Sequence, residues 1–288
     1  MGKPMSRNLL KAGYSLLVYD VNPAPLAELT AAGAEKGSSC SDVAARSDVI
    51  VTMLPDGPDV EKAVLGPAGV LEGARKGSVI VDMSSISPLV SQKLAADCAA
   101  KGVDFIDAPV SGGEPKAIDG TLAIMVGGDA AVFARVEPIL QKMGSSVTLT
   151  GAVGAGNVTK LANQIVVALN IAAVSEALVL ASKVGVAPEL VFQAIRGGLA
   201  GSTVMDAKAP LMLDRKFNPG FRINLHIKDL ANALDTAHEV GAPLPLTASV
   251  MEIMQALKAD GLGDSDHGAL VRYFEKLAKV ELKRCPAG

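Results

Sequence analysis

The segment between Gly156 and Gly185 constrains this chain more than any other stretch of its sequence. Its 28 intervening residues include neither glycine nor proline. A helix of that length spans about 40 Å, roughly twice the length of an ordinary globular helix. Ala, Leu, Val and Ile cover most of its circumference, which is typical of a helix buried inside a large protein. It is nevertheless too polar for a membrane span. Its polar positions are Lys160, Asn163, Gln164, Asn170, Ser175 and Glu176.

Three polar residues of this predicted helix share one face. Lys160, Asn163 and Asn170 recur at spacings of three and seven, which places them on the same side. A lysine and two amides on a mostly buried helix require partners. The alternative, equally favoured by this segment alone, is that Lys160 extends to solvent near the first turn.

Length and composition indicate a globular protein of one large or two medium domains. The chain has 288 residues, of which 49% are hydrophobic and 20% are charged, and its net charge is −3. That charge gives no indication of a nucleic-acid or membrane partner. Cys40, Cys98 and Cys285 are far apart and odd in number, and the three histidines lack metal-ligand spacing. We therefore expect a cytoplasmic protein with neither disulfides nor a metal site.

The first half of the chain alternates apolar strands with helices. Predicted strands cover residues 15–19, 49–54, 78–83, 103–107, 121–126 and 146–149. Continuous apolar runs such as VIVTML suggest strands buried on both faces of a parallel sheet. From residue 156 onward we predict only helices, the first at about 156–184. The pattern predicts an α/β Rossmann-like domain over 1–150, lacking its first strand, and an all-α domain over 151–288, joined by the long helix.

A dinucleotide-binding domain needs a strand, a glycine turn into a helix, and an acid that ends the next strand. Residues 2–12 are predicted to form that helix, and Asp20 follows strand 15–19 as an acid able to bind an adenosine ribose. Gly2 takes the place of the third glycine of a G-x-G-x-x-G turn, and Met1 precedes it. We expect the first strand and the first two glycines to lie upstream of Met1. The alternative role for Asp20 is a helix or turn cap.

Three loops are expected at the ligand-binding edge of the sheet. Met53-Leu54-Pro55 and Ser84-Ser85 follow consecutive strands, and ligands bind at the carboxyl ends of strands in open α/β sheets. The third loop lies in DAPVSGG (107–113), where two glycines follow Ser111 and expose backbone N–H groups that could bind an anion. A plain turn is the alternative for that loop.

Four segments together resemble the β-hydroxyacid dehydrogenases, the family of 3-hydroxyisobutyrate and 6-phosphogluconate dehydrogenases. They are MGKPMSRNLLKAGYSLLVYD at the start, DAPVSGGEPKAIDGTLAIMVGG at 107–128, GAGNVTKLANQ at 154–164 and LHIKDLANAL at 225–234. The resemblance covers nearly the whole chain. It implies NAD or NADP as cofactor and a small hydroxy acid or semialdehyde as substrate. The apolar remainder of the long helix suggests burial against another subunit, so we also expect a homo-oligomer. Within the family, EPKAIDGTL and RGGLAGSTVMDAKAPLM (196–212) resemble the tartronate semialdehyde (2-hydroxy-3-oxopropionate) reductases, which form D-glycerate.

The resemblance also implies roles for individual residues. Lys160 matches the catalytic lysine, which gives a proton to the aldehyde oxygen as a hydride arrives from nicotinamide. Substrate-binding positions match Ser111, Gly112, Gly113, Asn163 and Lys228. Cofactor-contacting positions match Met1, Gly2, Asp20, Met53, Leu54, Pro55, Ser85 and Lys228. Because Asp20 would repel a 2′-phosphate, NAD is favoured over NADP.

Two alternatives stay open at this point. A family enzyme could act on 3-hydroxyisobutyrate or another short 3-hydroxy acid, since small changes in pocket side chains decide the substrate. The chain could instead be a non-catalytic cofactor-binding protein, although the intact Lys160, Asn163, Ser111 and Lys228 argue against this. Without the resemblance, Lys228 would be interpreted as a solvated surface lysine.

Overall fold

The computed structural model describes residues 1–284, so Cys285 lies outside the described part of the chain. The chain divides into two compact units, Met1–Lys160 and Leu161–Gly288. The first unit is an α/β structure and the second is helical. This agrees with the predicted fold class, whereas the predicted domain boundary after residue 150 stays a prediction.

The first unit alternates short strands and helices along most of its length. Its strands are β1 (Leu17–Val18), β2 (Glu35–Lys36), β3 (Val49–Thr52), β4 (Val79–Asp82), β5 (Asp104–Asp107), β6 (Val110–Ser111), β7 (Leu122–Gly127) and β8 (Gly144–Gly151). Its helices are α1 (Gly2–Lys11), α2 (Pro23–Ala31), α3 (Cys40–Ala45), α4 (Gly57–Leu65), α5 (Val70–Gly73), α6 (Pro88–Ala100), α7 (Gly113–Asp119) and α8 (Ala130–Leu140).

The strands of the first unit form two sheets in the described part of the chain. The larger sheet has the order β3-β4-β5-β7-β6, with β8 also paired to β7. Strands β3, β4 and β5 are parallel, whereas β5 and β6 pair antiparallel with β7. The smaller sheet joins β1 and β2 in parallel. A Rossmann-like unit is confirmed.

Burial follows the sequence pattern of the central strands. Strand β4 (VIVD) is buried at every position, as expected for a parallel strand covered on both faces. Its alternate residues belong to two clusters: Val79 and Val81 pack with Ile106 and Val126, and Ile80 packs on the other side. The core of the first unit is therefore divided by the sheet into two layers.

Helix starts are encoded locally. The side chains of Asn22, Ser39 and Asp129 each accept a backbone N–H in the first turn of the helix that follows, as N-cap residues do. Pro23 and Pro88 begin α2 and α6, where the missing N–H has no cost.

The second unit is built from helices, and α9 (Ala155–Lys183) runs into it from the first unit. The other helices are α10 (Pro188–Ile195), α11 (Thr203–Leu213), α12 (Ile223–Glu239), α13 (Pro245–Leu257) and α14 (Val271–Ala278), with a π-helical turn at Lys258–Leu262 and a 3-10 helix at His267–Leu270. Ile171 and Leu178 of α9 are buried in one cluster with Met212, Leu230 and Met254. By length and composition alone α9 could cross a membrane, a test that core helices of soluble proteins also pass.

Several short elements differ from those predicted. Strand 15–19 is reduced to Leu17–Val18, and the two-residue strand Glu35–Lys36 was missed because both its residues are charged and exposed. Strand β6 and helix α7 were also missed, since Ser-Gly-Gly favours a turn. The last helical segment of the described chain is a 3-10 helix followed directly by α14.

Candidate functional site

The predicted cofactor-contacting positions near the start of the chain lie at the beginning of helix α1 and just after strand β1. Helix α1 begins at Gly2 after Met1, and no side chain of the described residues caps its first turn. A helix N-terminus of this kind favours a bound phosphate. Asp20 follows β1 and lines a pocket of about 440 Å³ together with Tyr19 and Lys36. Its Oδ1 accepts the Asn22 N–H at 2.8 Å, so Asp20 also stabilises the turn before α2.

The loops after β3 and β4 are connected through one buried acid, Asp82. The Thr52 hydroxyl donates to Asp82 Oδ1 at 2.8 Å, and the Ser84 N–H donates to the same oxygen at 3.2 Å. The Leu54 N–H in turn donates to the Ser84 hydroxyl oxygen at 2.9 Å. The predicted cofactor loops, 53–55 and 84–85, are thereby held to each other across neighbouring strands.

Asp82 is fully buried, and this environment disfavours its charge. Burial raises the pKa of Asp82 to about 6, against the hydrogen bonds from Ser84 and Thr52, and the nearby Asp107 raises it further. Among the described residues, no group hydrogen-bonds its second oxygen, Oδ2. The acid that holds the two loops is therefore close to its titration point in mildly acidic solution.

The predicted substrate loop, Ser111 to Gly113, lies where β6 ends and α7 begins. Gly112 has φ +134° and Gly113 has φ +71°, conformations that side chains rarely adopt. A Cβ on Gly112 would also lie 2.6 Å from the Lys116 side chain. The loop therefore requires both glycines. Ordinary turns also place glycine at positive φ, so substrate binding by this loop stays a prediction.

Asp107, at the end of β5, holds the first turn of α9. Its Oδ1 accepts the Gly154 N–H at 2.6 Å and its Oδ2 accepts the Asn157 N–H at 2.7 Å, and the Gly156 N–H donates to it as well. These are N–H groups that a helix leaves unpaired at its N-terminus, where a negative charge is also favourable. Burial raises the pKa of Asp107, and these donors oppose the rise.

Asn157 adds a second connection to the same turn. Its Oδ1 accepts the Ile86 N–H at 3.1 Å, and its Nδ2 donates to the Ser91 hydroxyl at 3.0 Å. All of these groups are buried or partly buried in the first unit. The start of α9 is therefore attached both to β5 and to the segment that begins α6.

Lys160 follows Asn157 by one helical turn and is only 7% exposed. The alternative of a lysine that extends to solvent is therefore wrong. Asn163 lies one turn further along the same helix. Asn170, which shares that face by spacing, donates instead to the Val166 carbonyl of its own helix at 2.9 Å. Its side chain is satisfied locally.

In the second unit, Asn163 and Lys228 are joined by two buried residues. Asn163 Nδ2 donates to Gln164 Oε1 at 2.9 Å, and Gln164 Nε2 donates to Asp229. The Lys228 ammonium lies 3.1 Å from Asp229 Oδ1. Lys228 is therefore half-buried and paired, and the alternative of a solvated surface lysine is wrong.

A buried histidine pair lies beside this network. His226 Nε2 lies 3.1 Å from the Gln164 carbonyl oxygen, which can only accept, so this nitrogen carries a proton. In neutral His226, Nδ1 then accepts, and at 2.9 Å the His267 Nδ1 must be its donor. The pair connects α12 to α9 at Gln164 by a second path.

The comparisons with known proteins agree with this architecture. The NAD binding domain of 6-phosphogluconate dehydrogenase matches residues 1–151, and the NAD-binding domain of NADP-dependent 3-hydroxyisobutyrate dehydrogenase matches residues 154–274. The chain belongs to the 3-hydroxyisobutyrate dehydrogenase family. It is therefore an NAD(P)-dependent hydroxyacid oxidoreductase.

Individual relatives cover nearly the full length of this dehydrogenase. The 2-hydroxy-3-oxopropionate reductase of Escherichia coli (strain K12) is 46% identical over 282 residues, which are 98% of this chain and 96% of the relative. The 2-(hydroxymethyl)glutarate dehydrogenase of Eubacterium barkeri is 41% identical over 98% of this chain and 94% of the relative. A structure of Mycobacterium tuberculosis 3-hydroxyisobutyrate dehydrogenase with L-serine superimposes with a TM-score of 0.88 at 33% identity, covering 95% of each chain.

Several residues that hydrogen-bond around the predicted site positions were not identified from the sequence. They are Thr52, Asp82, Asn157, Gln164, Asp229, His226 and His267. The one available signal was an acid at the end of an apolar strand, as in VIVD and DFID, because an acid there is buried only when it has partners. No cluster of three metal-binding side chains occurs among residues 1–284.

The first prediction concerns Asp82 and the stability of the fold. An acid whose pKa is raised from 3.8 to about 6 keeps its proton longer in the folded state, so stability falls as pH rises between these values. About two units correspond to about 3 kcal/mol. Relative to the natural protein, Asp82→Asn should therefore gain about 3 kcal/mol in free energy of unfolding between pH 4 and pH 7, measured by urea titration.

Thr52→Val provides the control for this prediction, because it removes a hydrogen bond to Asp82 and leaves the acid in place. Between pH 4 and pH 7, the free energy of unfolding of Thr52→Val should not increase relative to that of the natural protein, whereas that of Asp82→Asn should. An Asp82→Asn difference that stays constant from pH 4 to pH 7 would contradict the raised pKa.

Proposed function

We propose that this enzyme reduces tartronate semialdehyde (2-hydroxy-3-oxopropionate) to D-glycerate with a reduced nicotinamide cofactor. The observation that carries the proposal is the 46% identity to 2-hydroxy-3-oxopropionate reductase over 98% of the chain, together with a buried Lys160. This substrate is a narrower assignment than the family gives. The molecules that the relatives act on or bind define the alternatives to it.

The relatives act on or bind molecules with a common core. D-glycerate, 2-(hydroxymethyl)glutarate, 3-hydroxyisobutyrate and L-serine are all HOCH₂–CH(X)–COO⁻, in which X is a hydroxyl, a carboxyethyl, a methyl or an ammonium group. The reacting carbon and the carboxylate are the same in each, so the catalytic residues can be shared while X selects the enzyme. Reduction of a 3-hydroxyisobutyrate-type semialdehyde is therefore the second candidate.

Different residues of this chain would protonate, bind and orient the part of the substrate that these molecules share. Bound NADH or NADPH would supply the hydride to the aldehyde carbon. Lys160 donates a proton to the aldehyde oxygen as negative charge develops there, which is general acid catalysis. The Ser111 hydroxyl and the N–H groups of Gly112 and Gly113 bind the carboxylate, and Asn163 and Lys228 orient the substrate.

The cofactor fits the described residues of the first unit. The N-terminus of α1, at Met1 and Gly2, suits a pyrophosphate, and the pocket lined by Asp20 offers a carboxylate to the two hydroxyls of an adenosine ribose. Residues 53–55 and Ser85, on the loops held by Asp82, complete the proposed cofactor contacts. The Asp20 charge favours NAD, because NADP carries a phosphate on one of those hydroxyls.

The second prediction tests the reaction. The natural protein should oxidise NADH or NADPH, followed at 340 nm, when tartronate semialdehyde is present. Lys160→Ala should lower kcat by about 10²–10⁴-fold, the usual contribution of a general acid. Lys142→Ala, at an exposed lysine, is the matched control and should retain activity.

A panel of three substrates separates the candidate functions: tartronate semialdehyde, methylmalonate semialdehyde and 2-formylglutarate. Faster turnover of methylmalonate semialdehyde or 2-formylglutarate than of tartronate semialdehyde would replace the proposed substrate with another member of the same class. Full activity in Lys160→Ala would refute the role of the lysine. Tight NADH binding without turnover of any panel member would favour a non-catalytic cofactor-binding protein.

The third prediction concerns cofactor choice. Asp20→Ser removes a charge whose repulsion of a 2′-phosphate is worth about 1–2 kcal/mol near the surface, or about tenfold in affinity. The ratio of kcat/KM for NADPH to that for NADH should rise at least about tenfold. Asp119→Ser, at an exposed acid of α7, should leave the ratio unchanged, and an equal rise in both variants would disprove the role of Asp20.

The fourth prediction concerns assembly and location. An apolar stripe along α9, including the exposed Val158, Val166 and Leu180, supports a homo-oligomer, since exposed apolar surface of this kind marks interaction sites. We place this assembly in the cytoplasm. Light scattering should give a molar mass of at least twice the 29.4 kDa of one chain, and a mass of one chain at micromolar concentration would disprove the oligomer.

A further inference from the structure

Two fully buried acids stand side by side at the edge of the sheet where the site lies. Asp82 and Asp107 are direct register partners at the ends of the parallel strands β4 and β5, and both are 0% exposed. Like charges on neighbouring strands repel, and burying each charge has a further cost. We therefore expect each carboxylate to make interactions that an apolar residue at the same position could not make.

The two acids hold different parts of the proposed active site. Asp107 accepts N–H groups of Gly154, Gly156 and Asn157, at the beginning of α9. Asp82 accepts the Thr52 hydroxyl and the Ser84 N–H, and through Ser84 it holds Leu54. The first group leads into the helix that bears Lys160, and the second group forms the cofactor loops.

The approach of α9 to Asp107 leaves no spare room. A Cβ on Gly156 would lie 2.4 Å from the Met125 carbonyl oxygen and 2.9 Å from Asp107 Oδ2, and a Cβ on Gly127 would lie 2.5 Å from Asp107 Oδ1. Helix α9, β5 and β7 therefore meet in backbone contact around this carboxylate. A shift of the first turn must displace either the carboxylate or a strand.

Lys160 is three residues beyond Asn157, or about 4.5 Å along the helix axis. With no glycine or proline between them, both residues belong to one continuous helical turn, so a backbone displacement at Asn157 also displaces the backbone at Lys160. A misplacement of about 1 Å can cost about 10²-fold in rate. The position of the Lys160 ammonium therefore depends on the carboxylate of Asp107.

We propose that Asp82 and Asp107 are positioning residues with separate tasks: Asp107 places Lys160 for proton transfer, and Asp82 places the cofactor loops. This division rests on the proposed function of Lys160 and of residues 53–55 and 84–85. It extends that function by assigning to each acid one step, proton transfer or cofactor binding, that it supports without contact with the reacting atoms.

The same substitution at the two neighbouring positions tests the division. Asp107→Asn replaces an acceptor oxygen with an NH₂ group that faces backbone donors, so the first turn of α9 must move. With the most active semialdehyde of the panel, its kcat should fall about 10²-fold while KM for NADH changes less than threefold. Asp82→Asn should show the reverse, with a KM for NADH raised about five- to tenfold and kcat at saturating NADH within threefold.

A primary isotope effect separates positioning from loss of folded protein. With 4-deuterated NADH, Asp107→Asn should show a larger isotope effect on kcat, because the chemical step becomes slower than product release. Asp82→Asn should leave the isotope effect of the natural enzyme unchanged. A mere loss of folded molecules lowers kcat without altering KM or the isotope effect, and that result would overturn the proposal.

Hydrogen exchange provides a readout that does not require turnover. Amides of residues 154–160 should exchange faster in Asp107→Asn, and amides of Met53, Leu54, Ser84 and Ser85 should exchange faster in Asp82→Asn. If the natural protein has no activity on the panel but this exchange pattern appears, the proposed function fails and the division of anchoring stands. The same exchange pattern in both variants would overturn the division.

Asn157→Ala is the second variant, for the case in which Asp107→Asn does not fold. It removes the side-chain bonds to Ile86 and Ser91 but leaves both acids in place, so it loosens the same turn more gently. It should lower kcat by about tenfold and raise the isotope effect, with KM for NADH within threefold. An increase in KM for NADH instead would contradict the assignment of this turn to Lys160.

Discussion

The interaction on which the described site depends is a carboxylate at the start of a long helix. Asp107 accepts backbone N–H groups from Gly154, Gly156 and Asn157, which α9 cannot satisfy within itself. An ionised acid there gains from the charge-assisted hydrogen bonds and from the helix dipole. These gains offset part of the cost of burying the charge, and they fix where a helix of 29 residues begins.

Much of the remaining local structure follows from that attachment. The glycines at 127 and 156 leave space for the backbone to approach Asp107, and the Asn157 side chain extends the same junction to Ile86. The acid of the adjacent strand, Asp82, connects the ends of β3 and β4 in the same manner. Parallel strands present their carboxyl ends at one edge, so a Rossmann-like sheet is well suited to this arrangement.

Buried polar groups of the second unit are also paired, here mainly with other side chains. Gln164 connects Asn163 to Asp229, and Asp229 pairs with Lys228. A half-buried lysine would otherwise carry an uncompensated charge. His226 and His267 are hydrogen-bonded to each other beside this network, and His226 also bonds α12 to the backbone of α9. The polar residues thus form a continuous network, in which each buried group has a partner.

Local pattern was sufficient for the long helix and for the apolar strands such as VIVT and VIVD, because these depend on residues close in sequence. The resemblance in four segments was sufficient for the family, which the comparisons confirm. Strand β6 and helix α7 were missed because two glycines in a row favour a turn, whereas here their positive φ angles begin a helix. Asn170 was grouped with Lys160 by spacing, yet it bonds to its own helix.

Only the tertiary structure placed Asp82 beside Asp107, since they are separated by 25 residues and meet through strand register. The same holds for Gln164 with Asp229 and for His226 with His267, which are brought together by helix packing. By itself the sequence determined the long helix, the apolar strands of the sheet and the family, because propensity, periodicity and motif are local properties. The partners of the buried polar groups were decided by the fold, because desolvation and charge depend on what surrounds a group in space.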